Sequence, residues 1–557
     1  MTALPTVHDT RPPLARRGLD LERLADEHWD LLVIGGGIVG AGAFLDAASR
    51  GLRVALVEQD DIASGTSSRS SRLIHGGLRY LQQLEVPLVR EALAERARLL
   101  RLAPHLVRLE AFLFPLYGPP AVTRGFYEAG ITLYDLLGSR RSGGWHRHLG
   151  LEDTLGYAPD LVTRNLRGAL LYHDAMEDDA RFTLAVVRTA QARFGEHAVA
   201  VTRVRATAPV RTGSRGEDPI HGAAVEDRLT GATFDIRASA VLDATGVWGA
   251  LPDRPFGGGS FEVQPARGSH LVIPRNRIQA RGGMTLRIPG RVAFLVPWPR
   301  HWIVGTTDKP HTGPVEGIAA TAEDVDEILG TLNGALDLDL TRDDLVGTYA
   351  GLRPLIAPSG TSSTVKVSRE HRVSVEAPGL VRVSGGKYTT YRVMARDAVD
   401  AALGRDEARR RPSRTRQLPI HGAAPRAALD ALAARLATGA LGLPPDVAAS
   451  LVDRHGTESE AVLAYGVEHD LVRPVVAGAP YLEAEIAWAA DRELAQSLDD
   501  LLARRIRLVH TLPDRGEAIA SRVAQVAGHV LGWDADRQAA EVTTYLEGAR
   551  REYGIPG

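Results

Sequence analysis

The chain of 557 residues contains no cysteine. That excludes disulfides, thiolate metal centres, iron–sulfur clusters and cysteine nucleophiles together, and it suits a reducing compartment. Long apolar runs are also missing. The longest, Leu31 to Leu45, is short and rich in glycine, so no transmembrane helix is expected. Excess charge is absent too. A net charge of −2 leaves no global field to draw nucleic acid or a membrane. The first 29 residues lack the apolar centre of a signal peptide; they carry mixed charges and three prolines and read as a polar extension. What remains, 44% hydrophobic and 24% charged residues, suits two or three globular domains.

Against that background one segment carries chemistry. "DLLVIGGGIVGAGAFLDAASRGLRVALVEQ" runs from Asp30 to Gln59. Leu31–Ile34 reads as a buried parallel strand, Ile38–Ser49 as a helix and Val54–Val57 as a second strand closing on Glu58. Between the first two stands G-x-G-x-x-G at Gly35, Gly37 and Gly40. The first glycine permits a tight turn, the second lets backbone approach a pyrophosphate, and the third lets helix and strand pack closely. The helix N-terminus adds N–H donors and a positive dipole end. Glu58 is spaced to accept hydrogen bonds from a ribose diol and disfavours a 2′-phosphate, so NADP is not expected. No second copy of the motif follows, so one dinucleotide site is expected.

Three later features favour FAD over NAD. Residues 60–71 are rich in Ser, Thr and Gly, as a backbone wrapping an extended cofactor would be. "AVLDATGVW", Ala240 to Trp248, is an apolar strand ending in a small-residue turn. "VRVSGGKYTTYRVMARDAV", Val381 to Val399, is a strand, a Gly385–Gly386 turn and a helix whose positive end suits a reduced flavin. Farther on, Met284 to Asp308 shows short apolar strands broken by Pro-Gly and Pro-Arg turns, a meander pattern. Ala408 to Pro419 is basic and proline-interrupted and reads as a linker. Beyond it Ile486, Ala490, Leu494, Leu498 and Leu501 recur at helical spacing.

The pieces "VIGGGIVGAG", "TSSRSSRLIHGGLRYL", "EALAERARLL", "ATGVW", "GSHLVIP", "IVGTTD", "GLRPL" and "SGGKYTTYR" resemble, in order and spacing, the FAD-dependent respiratory glycerol-3-phosphate dehydrogenases of the glycine/D-amino-acid oxidase-like superfamily. The resemblance covers nearly the whole chain after residue 29. It implies an α/β fold: a Rossmann-like FAD-binding domain with an antiparallel-sheet substrate domain and a C-terminal α-helical domain. The expected organisation is an extension over 1–29, a discontinuous FAD domain with inserted substrate domain over 30–410, a linker over 411–419 and helices over 420–557.

The activity so implied is oxidation of sn-glycerol 3-phosphate to dihydroxyacetone phosphate, with hydride transfer from C2 to FAD and electrons passed to a membrane quinone. An oxidase returning electrons to oxygen, or another amine or hydroxy-acid oxidoreductase of the superfamily, is the alternative. Arginines suit the phosphate clamp, because their forks match phosphate oxygens bidentately. Arg79, Arg353 and Arg369 are the candidates, with Tyr80 and His270 as further substrate contacts. His75, Arg353 and Lys387 are the catalytic candidates, since an imidazole titrates near working pH. Asp308 reads as a turn or capping residue near the site. The cofactor would be held by Gly35, Gly37, Gly40, Glu58, Thr66, Ser67, Ser68, Arg72, Leu73 and His75, then by Gly246, Trp248, Gly386, Lys387 and Thr389. No metal ligand is expected. Cytoplasmic location, peripheral contact with the inner face of the membrane and a homodimer complete the expectations.

Overall fold

The computed structural model describes residues 11–77, 85–118, 130–138, 145–213, 218–252, 254–257, 259–288, 291–357 and 370–557. Part of the expected polar extension is a helix, α1 (Pro13–Asp26). Proline at its first position is preorganised for helix and lacks only an N–H that would have no partner there. Its Leu24 is fully buried, and Arg17 donates to Asp227 and to the Thr202 carbonyl. Charge dominates the segment's composition, which hides the two leucines that dock it, Leu24 and the partly buried Leu21.

The motif region folds as β1 (His28–Ile34), α2 (Ile38–Ser49) and β2 (Val54–Glu58). The strand order of this sheet is His371–Ala377, Leu380–Gly385, Thr233–Asp243, β1, β2, Ala198–Thr202. All neighbours pair in parallel except the outermost two. Alternate side chains explain the unbroken apolar runs. Leu31 and Val33 enter a core with α2 and the helices Asp179–Phe194 and Tyr391–Leu403. Leu32 and Ile34 enter another, with residues of α1 and the strands Val204–Arg211 and Ile220–Asp227. A strand buried on both faces has no polar face to show.

The second sheet runs, in order, through Lys309–Pro310, Glu262–Pro274, His301–Gly305, Arg291–Trp298, Gly283–Ile288, Val107–Tyr117, Leu166–Glu177 and Leu73–Ile74. Gly347–Ala357 pairs with Glu262–Pro274 along eleven register positions. The meander read from Met284 to Asp308 is three of these strands. The sheet is antiparallel save at one junction, where Gly283 and Met284 pair in parallel with Phe112 and Leu113.

The basic linker is tied down. After the helix Arg405–Arg410, Ser413 and Thr415 donate to Asp46, and Arg50 donates to the Arg411 carbonyl. The C-terminal region is helical, but the periodicity across residues 486–501 does not give one helix. The helix Glu483–Arg492 stops, Leu494 takes a left-handed φ of 61°, and a π-helical turn follows at Asp500–Arg505. Side-chain hydrogen bonds fix the break: Arg505 donates to the Glu493 carbonyl, and Asp500 accepts from the Gln496 N–H.

Candidate functional site

β1, β2, Thr233–Asp243 and Leu380–Gly385 deliver their carboxyl ends to one cavity of about 760 Å³. Open parallel sheets bind ligands at this place. Gly35 and Gly37 line it at the start of α2. Gly35 has φ +109°, and a Cβ there would stand 2.7 Å from the Ala244 carbonyl oxygen. Gly40 lies outside the lining. Its Cβ would stand 1.9 Å from the Gly35 oxygen, so glycine is required for the helix to pack on the turn.

Glu58 lines the cavity and is already engaged. Its carboxylate accepts the Gly36 N–H at 2.6 Å and the Asp60 N–H at 2.9 Å. Burial pushes its carboxyl up to about 7 against those two donors, which pull the other way. A carboxylate has about four lone-pair sites, so two remain for a diol. Ser67 lines the cavity and its hydroxyl accepts the Ile38 N–H at 2.9 Å, taking one donor of the helix end. Thr66, also in the lining, donates to the Leu352 carbonyl. Gly246 and Trp248 close the wall, and the buried Trp248 Nε1 has no hydrogen-bond partner among the described residues. An orphaned donor beside a glycine cradle fits a long polar cofactor such as FAD.

Leu73, His75, Gly386, Lys387 and Thr389 line a further part of the cavity. The His75 N–H donates to Thr389 Oγ1 at 3.2 Å, which ties the segment leading to His75 to the turn that follows Gly385–Gly386. The His75 ring meets Phe294 edge-on. Lys387 stands before a short 3₁₀ turn, Tyr388–Thr390, and the helix proper begins at Tyr391.

His270 and Arg353 lie on adjacent paired strands and both face the cavity. Arg353 donates to Asp308 at 3.1 Å and to Thr306 Oγ1 at 3.0 Å. Asp308 therefore orients the arginine. His270 is 2% exposed, its Nε2 lies 2.8 Å from Ser71 Oγ, and its ring stacks on Tyr349 at 4.7 Å. Burial, with Arg353 and Arg72 nearby, pulls its pKa down to about 3, so the ring is neutral.

Three residues expected at the cofactor do not line the cavity: Gly40, as above, Ser68 and Arg72. Ser68 is buried outside the cavity lining, and its hydroxyl turns back to the Gly65 carbonyl. Arg72 takes a left-handed φ of 57°, lies outside the lining and buries its guanidinium 3.9 Å over the Trp298 ring. Alternating Ser and Arg in sequence do not reveal which face each takes on an irregular chain. Arg79, Tyr80 and Arg369 lie outside the described residues. Sequence reasoning missed Tyr349, which supports His270, and Val204–Thr207 with Phe256, which line the cavity. Tyr349 stands four residues before Arg353, a period-2 position on the same strand face that could have found it.

Among the described residues, His455, Glu458 and Glu493 also bring ligating atoms within 4.8 Å of one another. Arg188 and Arg181 occupy those carboxylates, which makes the cluster an ion-pair network.

Comparison with known proteins agrees with this geometry. Residues 30–400 match the model of the FAD dependent oxidoreductase family, and residues 413–538 match the C-terminal domain of alpha-glycerophosphate oxidase. Glycerol-3-phosphate dehydrogenase 2 of Mycobacterium tuberculosis is 45% identical over 96% of this chain and 90% of its own length. The mitochondrial glycerol-3-phosphate dehydrogenase of Bos taurus is 34% identical over 96% of this chain and 75% of its own. The crystal structure of the Bacillus halodurans glycerol-3-phosphate dehydrogenase complexed with FAD superposes with a TM-score of 0.76 at 26% identity, covering 96% of this chain and 97% of that one. Fold, cavity and relatives together place the chain in the FAD-dependent oxidoreductase family, among the glycerol-3-phosphate dehydrogenases.

Proposed function

We propose that the protein oxidises sn-glycerol 3-phosphate to dihydroxyacetone phosphate and passes the electrons to a membrane quinone. The observation that carries this reading is that Arg353, Lys387, His75 and His270 line the same cavity as the glycine cradle. FAD, when bound, supplies a two-electron acceptor for the C2 hydride. Everything else falls to the chain. Arg353, braced by Asp308, offers its fork to the substrate phosphate. The C2 hydroxyl proton goes to an imidazole of the cavity lining, His75 or His270. Arg353 is one cause of the depressed His270 pKa. A phosphate dianion on Arg353 offsets that cause and raises the basicity of His270 as substrate arrives. Lys387, on the positive end before the helix Tyr391–Leu403, favours negative charge developing nearby.

No helix among the described residues is long and apolar enough to cross a membrane. Contact with a quinone-bearing membrane would then be peripheral, through exposed apolar side chains such as Leu133, Leu136 and Trp145. The match of residues 413–538 to an oxidase domain keeps oxygen as the second reading for the acceptor. The test is an anaerobic visible spectrum of the purified protein before and after glycerol 3-phosphate. Immediate bleaching of a flavin band is expected, and an unchanged band would overturn the substrate. Reoxidation by a soluble quinone analogue much faster than by oxygen is expected, and the reverse order would make the protein an oxidase.

A further inference from the structure

The segment Asp61–Ser71 forms much of the cavity wall, through Ser64, Gly65, Thr66, Ser67, Ser70 and Ser71. It is almost without regular structure, holding one 3₁₀ turn at Thr66–Ser68. Its apolar anchors are few: Ile62 and Ala63 alone are buried within it. Left-handed backbone occurs within it at Ala63 and just after it at Arg72, and non-glycine residues adopt that conformation only where their surroundings impose it. Something must hold this segment in place while its other face stays open to the cofactor.

The grip comes from behind, from the π-helical turn of the C-terminal region and its flank. Asp61 is fully buried. It accepts from Arg504 Nε at 2.6 Å and from both terminal nitrogens of Arg505 at 2.7 and 2.8 Å. Arg507 donates to the Ser68 carbonyl at 3.2 Å and pairs with Asp179, whose other oxygen accepts the Ser70 N–H at 2.9 Å. The chain terminus adds Glu552, paired with Arg69. Buried ion pairs contribute little net stability compared with apolar packing of the same volume, because desolvation offsets their attraction. What a bidentate fork on a buried carboxylate does supply is a fixed geometry.

We propose that the C-terminal helical domain sets the FAD affinity of the enzyme, with Arg505 and Arg507 as positioning residues for the cofactor-wrapping segment. The proposal rests on the large cavity being the FAD site. By linkage the coupling is reciprocal: FAD strengthens the docking of residues 500–510, and that docking strengthens FAD binding by the same factor.

The test uses the full chain, purified as holoenzyme and compared with its flavin-free form. Arg507→Lys keeps charge toward Asp179 but loses the planar fork, and Arg505→Met removes two of the three arginine hydrogen bonds to Asp61. Both are expected to raise the FAD dissociation constant by about tenfold, the worth of one charge-assisted hydrogen bond. Both should also shrink the rise in melting temperature that FAD produces. A merely structural role would lower the melting temperature of both forms equally; an FAD dissociation constant within twofold of wild type in Arg507→Lys would overturn the proposal. Hydrogen exchange on the wild type needs no variant to fold. FAD should slow exchange at residues 35–39 and also at 500–510. Slowing at 35–39 without slowing at 500–510 overturns the coupling alone, and no slowing at 35–39 overturns the assignment of the cavity as well.

Discussion

Arg353, Glu58 and His270 show how single side chains take their properties from their neighbours. Arg353→Ala should raise the KM for glycerol 3-phosphate by about tenfold or more and slow flavin reduction, as expected for a lost charge-assisted contact; stopped-flow reduction kinetics check this. Glu58→Ala should release the Gly36 and Asp60 N–H groups along with the diol contact. Flavin occupancy after purification should fall, which absorbance reads directly. His270 gives the pH prediction. Its folded pKa of about 3 lies below its unfolded value, so the unfolded chain binds more protons between those two values. Stability is therefore present above about pH 6.5 and lost as pH falls below it, at up to about 1.4 kcal/mol per pH unit. Comparing melting temperatures at pH 7.5 and 5.5, wild type should lose more than His270→Gln.

At the scale of elements, β1, α2 and β2 were legible because both-face burial writes a continuous apolar run and the turn demands glycine. The Gly40 requirement is the sharpest instance: a methyl there would meet the Gly35 carbonyl at 1.9 Å. Gly40→Ala should push α2 off the turn, lowering both flavin occupancy and melting temperature, whereas Gly51→Ala, at a helix end with open space around it, should keep its flavin. The stretch from residue 60 to His75 was legible only in part. Its Ser, Thr and Gly pointed to a backbone wrapping an extended cofactor, and Ser67, Leu73 and His75 do line the cavity. Ser68 and Arg72 do not, because an irregular chain has no period from which a face can be read. The break at Leu494 was hidden for the opposite reason. A helical period continued through it, while side chains distant in the sequence, such as Thr202 donating to the Leu494 carbonyl, decided the backbone.

Across the whole molecule, the C-terminal helices share an apolar core with the rest of the chain and are joined to it by buried ion pairs. Arg181 donates to both oxygens of Glu493, Arg203 to both oxygens of Asp500, and Asp61 receives Arg504 and Arg505. Arg181 holds Glu493 down to about 2 despite its burial, with His455 and Arg188 assisting. Removing Arg181 would leave that carboxylate buried beside weaker partners. Arg181→Ala should therefore cost about 3–5 kcal/mol, the usual penalty for breaking a buried pair; urea unfolding followed by far-UV circular dichroism measures it. The two units should also unfold together in wild type and separate into two transitions in the variant.

The sequence by itself determined the dinucleotide fold, because that depends on local rules: strand and helix periods, glycine at one forced turn, an acid at one spacing. The family, and His75, Arg353 and Lys387 as candidates that prove to line one cavity, followed from the resemblance of the longer motifs. Tertiary structure alone decided that Asp308 braces Arg353, that His270 is neutral on a Tyr349 platform, and that arginines more than 430 residues away grip Asp61. Those are pairings between distant segments, fixed by packing and burial, and nothing in the local pattern of either segment records the partner.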